Sequence, residues 1–220
     1  MKTYRDHYFK KAKQENYPAR SVYKLEEIEK SSRLLSPGAA VLDLGACPGS
    51  WTLYAASRVG PSGRVLAIDL NPAGTAFPPH VTYLTGDMLD PAPEILEAFS
   101  RLGPFDVVLS DMAPKTTGIK FTDQARSLEL CEAALAVAVA RLKPGGAFVV
   151  KIFQGPDAPA YLKALRDAFD KVRVAKPKSS RAESKEIFYV ATGFRPRAEL
   201  PEPDPPPLPD PDGTARENTD

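Results

Sequence analysis

Residues 41–51 read VLDLGACPGSW, an apolar run that ends on one carboxylate, Asp43, and passes into a turn built on Gly45 and Gly49. A buried strand that enters a helix through a glycine turn is how an open α/β sheet forms a nucleotide crevice at the carboxyl end of its first strand. A dinucleotide turn of the G-x-G-x-x-G kind needs a glycine two residues after Gly45, so that backbone amides can approach a pyrophosphate. Cys47 stands there, and Pro48 has no N–H to offer. The turn therefore speaks against a phosphate cradle and for an adenosine ligand without phosphates, of which S-adenosylmethionine is the commonest.

Outward from this turn, apolar and β-branched runs recur at 41–46, 64–70, 81–86, 105–110, 147–153, 172–175 and 187–192, and helical patterns fill most gaps, at 21–30, 50–58, 93–101, 123–142 and 159–169. Near-continuous apolar strands alternating with helices predict a largely parallel sheet covered on both faces. The last two strands have no helix between them and are expected to form an antiparallel pair. Asp123 is read as the N-cap of its helix, and Pro144-Gly145-Gly146 as that helix's end. One domain spans 1–195. The tail from 196 to 220 holds eight prolines between Pro196 and Pro211 and is expected to be disordered.

Two cysteines without C-x-x-C spacing exclude a disulfide framework or zinc ribbon. His7 and His80 are isolated, so no metal is expected. There is no secretory h-region, and the longest apolar run, 133–140, is too short to span a bilayer. A cytoplasmic monomer is expected, away from the membrane. The net charge of +1 conceals an asymmetry, because residues 198–220 hold seven acidic residues against one basic, leaving +7 on the rest. Lys2, Arg5, Lys10, Lys11, Lys13, Arg20 and Lys24 crowd the first 24 residues. That excess suits a phosphate-rich partner.

Asp43, Asp69 and Asp87 close three successive strands, where carboxylates reach ribose hydroxyls and an adenine amino edge. Single strand-end aspartates are ordinary turn formers, but three in succession favour a site. Trp51, the only tryptophan, follows the turn as a pocket wall or a core residue. Asp111 ends the fourth strand in LSDMAP, and Lys151 interrupts the apolar strand GGAFVVKIF. An ammonium inside a strand must reach an edge or be paired, since burying it alone costs several kcal/mol.

These pieces resemble the FtsJ family of RNA 2'-O-ribose methyltransferases over about residues 5–194: SVYKLEEI, DLGACPGSW, AIDL, GDM, SDMAPKTTG, GGAFVVKIFQG and KPKSSRAESKEIFYVATGF. The resemblance implies a Rossmann-like class I S-adenosylmethionine-dependent fold, a seven-stranded mostly parallel sheet with one antiparallel strand and helices on both faces. It further implies a catalytic tetrad matching Lys24, Asp111, Lys151 and Glu186, and cofactor contacts at Gly49, Trp51, Asp69, Asp87 and Asp111, to which the crevice reading adds Asp43 and Gly45. A ribose hydroxyl attacks only as its proton is drawn off. Lys151 is the expected base or orienting group, with Lys24 lowering its proton affinity and Asp111 and Glu186 opposing that effect while orienting the lysines and the hydroxyl.

The sequence departs from the family's frequent GAAPGGW at Cys47 and Ser50, and carries Lys115 where bacterial ribosomal enzymes often have asparagine. The short basic N-terminal segment is similar to that of bacterial enzymes modifying a uridine of 23S ribosomal RNA in the large ribosomal subunit. A second cluster, Lys171, Arg173, Lys176, Lys178, Arg181 and Lys185, is expected to hold phosphates beside the crevice. Transfer RNA is the alternative substrate. A non-catalytic RNA-binding protein and a small-molecule methyltransferase are rival readings, the first at odds with a lysine inside a strand, the second with the basic clusters.

Overall fold

The computed structural model describes residues 2–180 and 184–196, with the side chains from residue 7 onward. The proline-rich tail and Arg181, both named above, lie outside the described residues, apart from Pro196. Strand β1 (Ala40–Leu44) is buried at every position. It sits in the middle of one seven-stranded sheet of order β3-β2-β1-β4-β5-β7-β6. The others are β2 (Arg64–Asp69), β3 (Val81–Thr85), β4 (Phe105–Ser110), β5 (Leu142–Phe153), β6 (Phe169–Ala175) and β7 (Glu186–Phe194). Strand β7 runs antiparallel to both neighbours, β5 and β6, and the remaining pairings are parallel. The expected sheet, including its one reversed strand, is therefore present.

Side chains alternate across a strand, so the sheet sorts its residues onto two faces. Leu42, Leu66, Val108, Phe148 and Val150 pack on the face covered by α4 (Pro93–Leu102), α5 (Lys120–Arg141) and α6 (Ala158–Ala168). Val41, Val107, Leu109, Val149, Phe188 and Val190 pack on the other, against α2 (Val22–Ser32) and α3 (Ser50–Val59). By the same parity Asp43, Asp111, Lys151 and Glu186 turn toward α2, the helix that carries Lys24. Alternation alone thus brings the tetrad to one side of the sheet.

A helix α1 (Lys2–Gln14) precedes these elements and docks Ala12 against Tyr23 of α2. Lys11 lies 4.4 Å from the centroid of the Tyr23 ring, and Arg20 lies 5.6 Å from that of Tyr8. Part of the basic N-terminal cluster is therefore engaged in packing.

Two expectations are corrected. Helix α5 begins at Lys120, so Asp123 sits inside its first turn; there its carboxylate accepts the Thr117 and Gly118 amides and fastens the preceding loop. Pro144-Gly145-Gly146 does not separate helix from strand: β5 already begins at Leu142, paired with Phe105, and the register shifts before Val107 meets Ala147. The glycines carry a bulge, with Gly145 at φ +79°.

Phe148 is fully buried, and its ring lies 6.3 Å from that of Phe169. Phe148→Ala should lower stability by about 3 to 5 kcal/mol, seen as a lower urea midpoint with an unchanged slope.

Candidate active site

Four side chains predicted from separate stretches of sequence meet at the carboxyl edge of the parallel strands. Lys24 Nζ lies 2.6 Å from Glu186 Oε1, and Lys151 Nζ lies 2.8 Å from Asp111 Oδ1. Lys151 also donates to the Asp111 main-chain carbonyl. Its contact with Oδ1 lies off the line of a hydrogen bond and acts as an ion pair. Lys151, 7% exposed, is thus a buried ammonium held by one residue through both its carboxylate and its backbone.

Glu186 lies across from Phe153, and Phe188 lies across from Lys151. Because β7 is antiparallel, its first residue stands at the edge where β5 ends. Burial pushes the Glu186 carboxyl up, but the Lys24 ammonium, the Ser180 hydroxyl and the Lys151 charge together hold it below the usual glutamate range. Lys24 Nζ also sits 5.8 Å from the centroid of the Phe188 ring, which is itself in contact with Trp51.

Beside the tetrad is a cavity of about 700 Å³ at the ends of β1, β2, β3 and β4, lined among others by Gly45, Asp69, Asp87 and Asp111. Its size falls within the range of small-molecule sites. Asp69 accepts hydrogen bonds from the Cys47 amide (3.0 Å) and the Asn71 amide (2.8 Å), which orient the carboxylate against the glycine turn. Asp87 is fixed at the rim by the Leu89 amide (2.8 Å). A Cβ on Gly45 would lie 2.5 Å from Met112 Cγ and 3.1 Å from its backbone. Glycine therefore lets the first turn close against the residue after Asp111. Asp111 borders both the cavity and Lys151, and so joins the two halves of the site.

Three expected cofactor residues fall outside the cavity lining. The Trp51 ring is 3% exposed, packs in the core, and donates from Nε1 to the Ser21 carbonyl at 2.9 Å. It supports α2 and Phe188 and is not among the residues lining this cavity. Gly49 caps α3 at φ +106°, where a Cβ would lie 2.8 Å from Phe77. Asp43 points toward α3, accepting the Thr52 hydroxyl at 2.6 Å through Oδ2, and its Oδ1 is buried without a hydrogen-bond partner among the described residues.

The second basic cluster is also less available than expected. Arg173 donates to Ser31 and Ser32, and Lys176 donates to the carbonyls of Ser184 and Glu186. Sequence reasoning missed Ser180, whose hydroxyl donates to Glu186 Oε1 at 2.9 Å. It lies in the quoted stretch KPKSSRAESKE, where only its burial distinguishes it from a solvated loop serine. Among the described residues no group of three or more His, Cys, Asp or Glu side chains is placed to hold a metal ion, and no helix is long and apolar enough to cross a membrane.

A doubly wound sheet with a reversed seventh strand, a carboxylate-lined crevice and two largely shielded lysine–carboxylate pairs is the architecture of an α/β methyltransferase. The chain belongs to the FtsJ-like methyltransferase family, whose sequence pattern matches residues 17–194. It is 61% identical over 202 residues to the ribosomal RNA large subunit methyltransferase E of Oleidesulfovibrio alaskensis, covering 92% of this chain and 98% of that one. It is 62% identical over 195 residues to the protein of the same name in Nitratidesulfovibrio vulgaris, covering 89% and 97%. A solved structure described as a ribosomal RNA methyltransferase of Plasmodium falciparum superimposes with a TM-score of 0.71 at 26% identity, over 82% of this chain and all of that one.

Burial pushes the Asp43 carboxyl up to about 7; the Thr52 hydroxyl opposes the rise, and the charges of Asp111 and Asp69 add to it. A carboxyl raised on folding binds more protons in the native state than in the unfolded one, so its contribution to stability is lost as pH rises from the unfolded carboxyl range through the folded value, and the loss levels off above that. Between pH 5.5 and 8.5 the wild-type protein should lose about 2 kcal/mol relative to Asp43→Asn in urea unfolding. Parallel pH dependences for the two proteins would contradict the burial argument.

Proposed function

We propose that this protein transfers a methyl group from S-adenosylmethionine to a ribose 2'-hydroxyl of RNA, the target being a uridine of 23S ribosomal RNA in the large ribosomal subunit. The observation that carries the reading is the juxtaposition of two lysine–carboxylate pairs with the cavity, Asp111 belonging to both. The names and near full-length coverage of the relatives support the substrate class.

The residues of the cavity fit the cofactor. Carboxylates at the ends of neighbouring strands accept from hydroxyls and amines and favour a cationic ligand, whereas the first turn, with Pro48, is a poor pyrophosphate cradle. Asp69 would take the ribose hydroxyls and Asp87 the adenine amino edge, while Gly45 and Asp111 close the wall toward the tetrad. Gly49, Trp51 and Asp43 contribute by holding the turn and the helix that follows it. S-adenosylmethionine supplies, when bound, a methyl already activated on a sulfonium.

The chain's own task is then to place an oxygen and remove its proton. Lys151 Nζ is the atom that receives the 2'-hydroxyl proton, having first released one of its own to solvent. Asp111 holds the ammonium so formed. Lys24 and Glu186 neutralise one another and orient the ribose from the α2 side. Lys115 and Arg126, at the cavity wall, and the basic face of α1 offer charges to RNA phosphates.

Methyl-labelled S-adenosylmethionine incubated with undermodified large subunits, naked ribosomal RNA and transfer RNA tests this. Label should appear on one ribose of the subunit, and Lys151→Ala should reduce it by about 100-fold or more without loss of cofactor affinity. Wild-type turnover by Lys151→Ala would sink the mechanism, and label on transfer RNA alone would overturn the substrate. Asp69→Ala should weaken cofactor binding in calorimetry by about tenfold or more, as expected for a lost charge-assisted hydrogen bond of ~1.5 to 3 kcal/mol; unchanged affinity would reduce Asp69 to a turn residue.

A further inference from the structure

Lys24 and Glu27 are three residues apart on one face of the first turns of α2, and Arg20 lies in the turn just before that helix. Arg20 and Glu27 reach the stretch of chain between β6 and β7, and Lys24 reaches Glu186, the first residue of β7. The Glu27 carboxylate accepts the Lys178 amide at 2.6 Å and the Ser179 amide at 2.9 Å. Arg20 donates to the Ser179 carbonyl at 2.6 Å. The turn between them is closed by the Ser180 amide on the Pro177 carbonyl at 3.0 Å. What this clamp delivers is Ser180, 5% exposed, with its hydroxyl on the Glu186 oxygen that Lys24 also holds.

The geometry points to Ser180 as a positioning residue for Glu186, set in place by Glu27 and Arg20, an inference that rests on the tetrad reading proposed above. A glutamate held only by Lys24 would be tied to a long side chain with many rotamers, and the pair could swing together. A hydroxyl on a turn whose amides are themselves clamped supplies a short second tether and fixes the carboxylate relative to the sheet. Lys176, bound to the Glu186 carbonyl at 2.8 Å, fixes the backbone of the same residue. Helix α2 thus does two things at once: it carries Lys24, and through Glu27 it holds the group that aims Lys24's partner. The Ser180 hydroxyl does not touch the cavity lining, so its effect belongs to the transfer step and not to cofactor binding.

The test measures methyl transfer to undermodified large subunits for Ser180→Ala, Ser180→Thr, Glu186→Ala and the double variant Ser180→Ala/Glu186→Ala, with cofactor affinity and melting temperature measured alongside. Ser180→Ala should lower kcat by about tenfold, the scale expected when a reacting group is slightly misplaced. Cofactor affinity and the KM for subunits should stay within about twofold, so that the loss is confined to kcat. Ser180→Thr should restore most of kcat, and Ser180→Ala should add nothing to Glu186→Ala. A wild-type rate in Ser180→Ala, additivity in the double variant, or equal losses of kcat and melting temperature in the Ala and Thr variants would each overturn the inference. Full activity in Glu186→Ala would instead overturn the tetrad itself, whereas a silent Ser180→Ala beside an inactive Glu186→Ala removes only the role given to Ser180.

Discussion

An ammonium placed inside an apolar strand is the constraint around which this molecule is organised. Lys151 stands between Val150 and Ile152, both buried against α5 and α6, and its own side chain leaves through the opposite face. That charge is tolerable only with a fixed partner, so Asp111, the residue that follows β4, must stand at the right height. The strand after β5 in the sheet must bring a second carboxylate to the same edge. Even the Lys151 carbonyl is used, accepting from the buried Cys131 thiol at 3.1 Å. Helix α2 then closes the side on which the lysine emerges and supplies a second cation, itself neutralised by Glu186.

The glycine turn contributes a different kind of constraint. Asp43, Asp69 and Asp111 stand near one another around Gly45, closely enough that the last two raise the proton affinity of the first. Lys151 offsets Asp111 and burial favours the protonated form of Asp43, so the carboxylate charge facing the cavity is chiefly that of Asp69 and Asp87. Such a site favours a positive ligand and disfavours a phosphate, the same conclusion that Cys47 and Pro48 give from backbone chemistry.

Most of this was legible in the sequence because the signals were strong and local. Strand β4 falls on the expected residues and every other strand overlaps its predicted run, with β5, β6 and β7 extending beyond theirs, since apolar stretches bounded by glycine or proline have few alternatives. Lys151 was visible as a charge where none belongs. The sequence was misleading where a residue has two ordinary uses. Pro144-Gly145-Gly146 reads as a helix stop but serves as a bulge, because the strand's pairing with Phe105 cannot be seen locally. Trp51 reads equally as wall or core, and the donor bond to Ser21 decides it. Arg173 and Lys176 look like phosphate ligands but bind serine hydroxyls and main-chain carbonyls. Ser180 gave no signal, because a serine in a polar loop is informative only once its burial is known.

The reversal of β7 has a consequence for how such an enzyme can diversify. Parallel strands reach the reactive edge from below, and their incoming connections lie at the far end of the sheet. Strand β7 instead enters at the reactive edge, so the segment joining β6 to β7 crosses the site itself. Lengthening or recharging that one connection would change what the edge can grip without shifting the register of a single parallel strand. The direction of one strand therefore puts a connection at the reactive edge whose turn at 177–180 stays tied to Arg20 and Glu27 while the parallel register is left untouched by changes elsewhere in it.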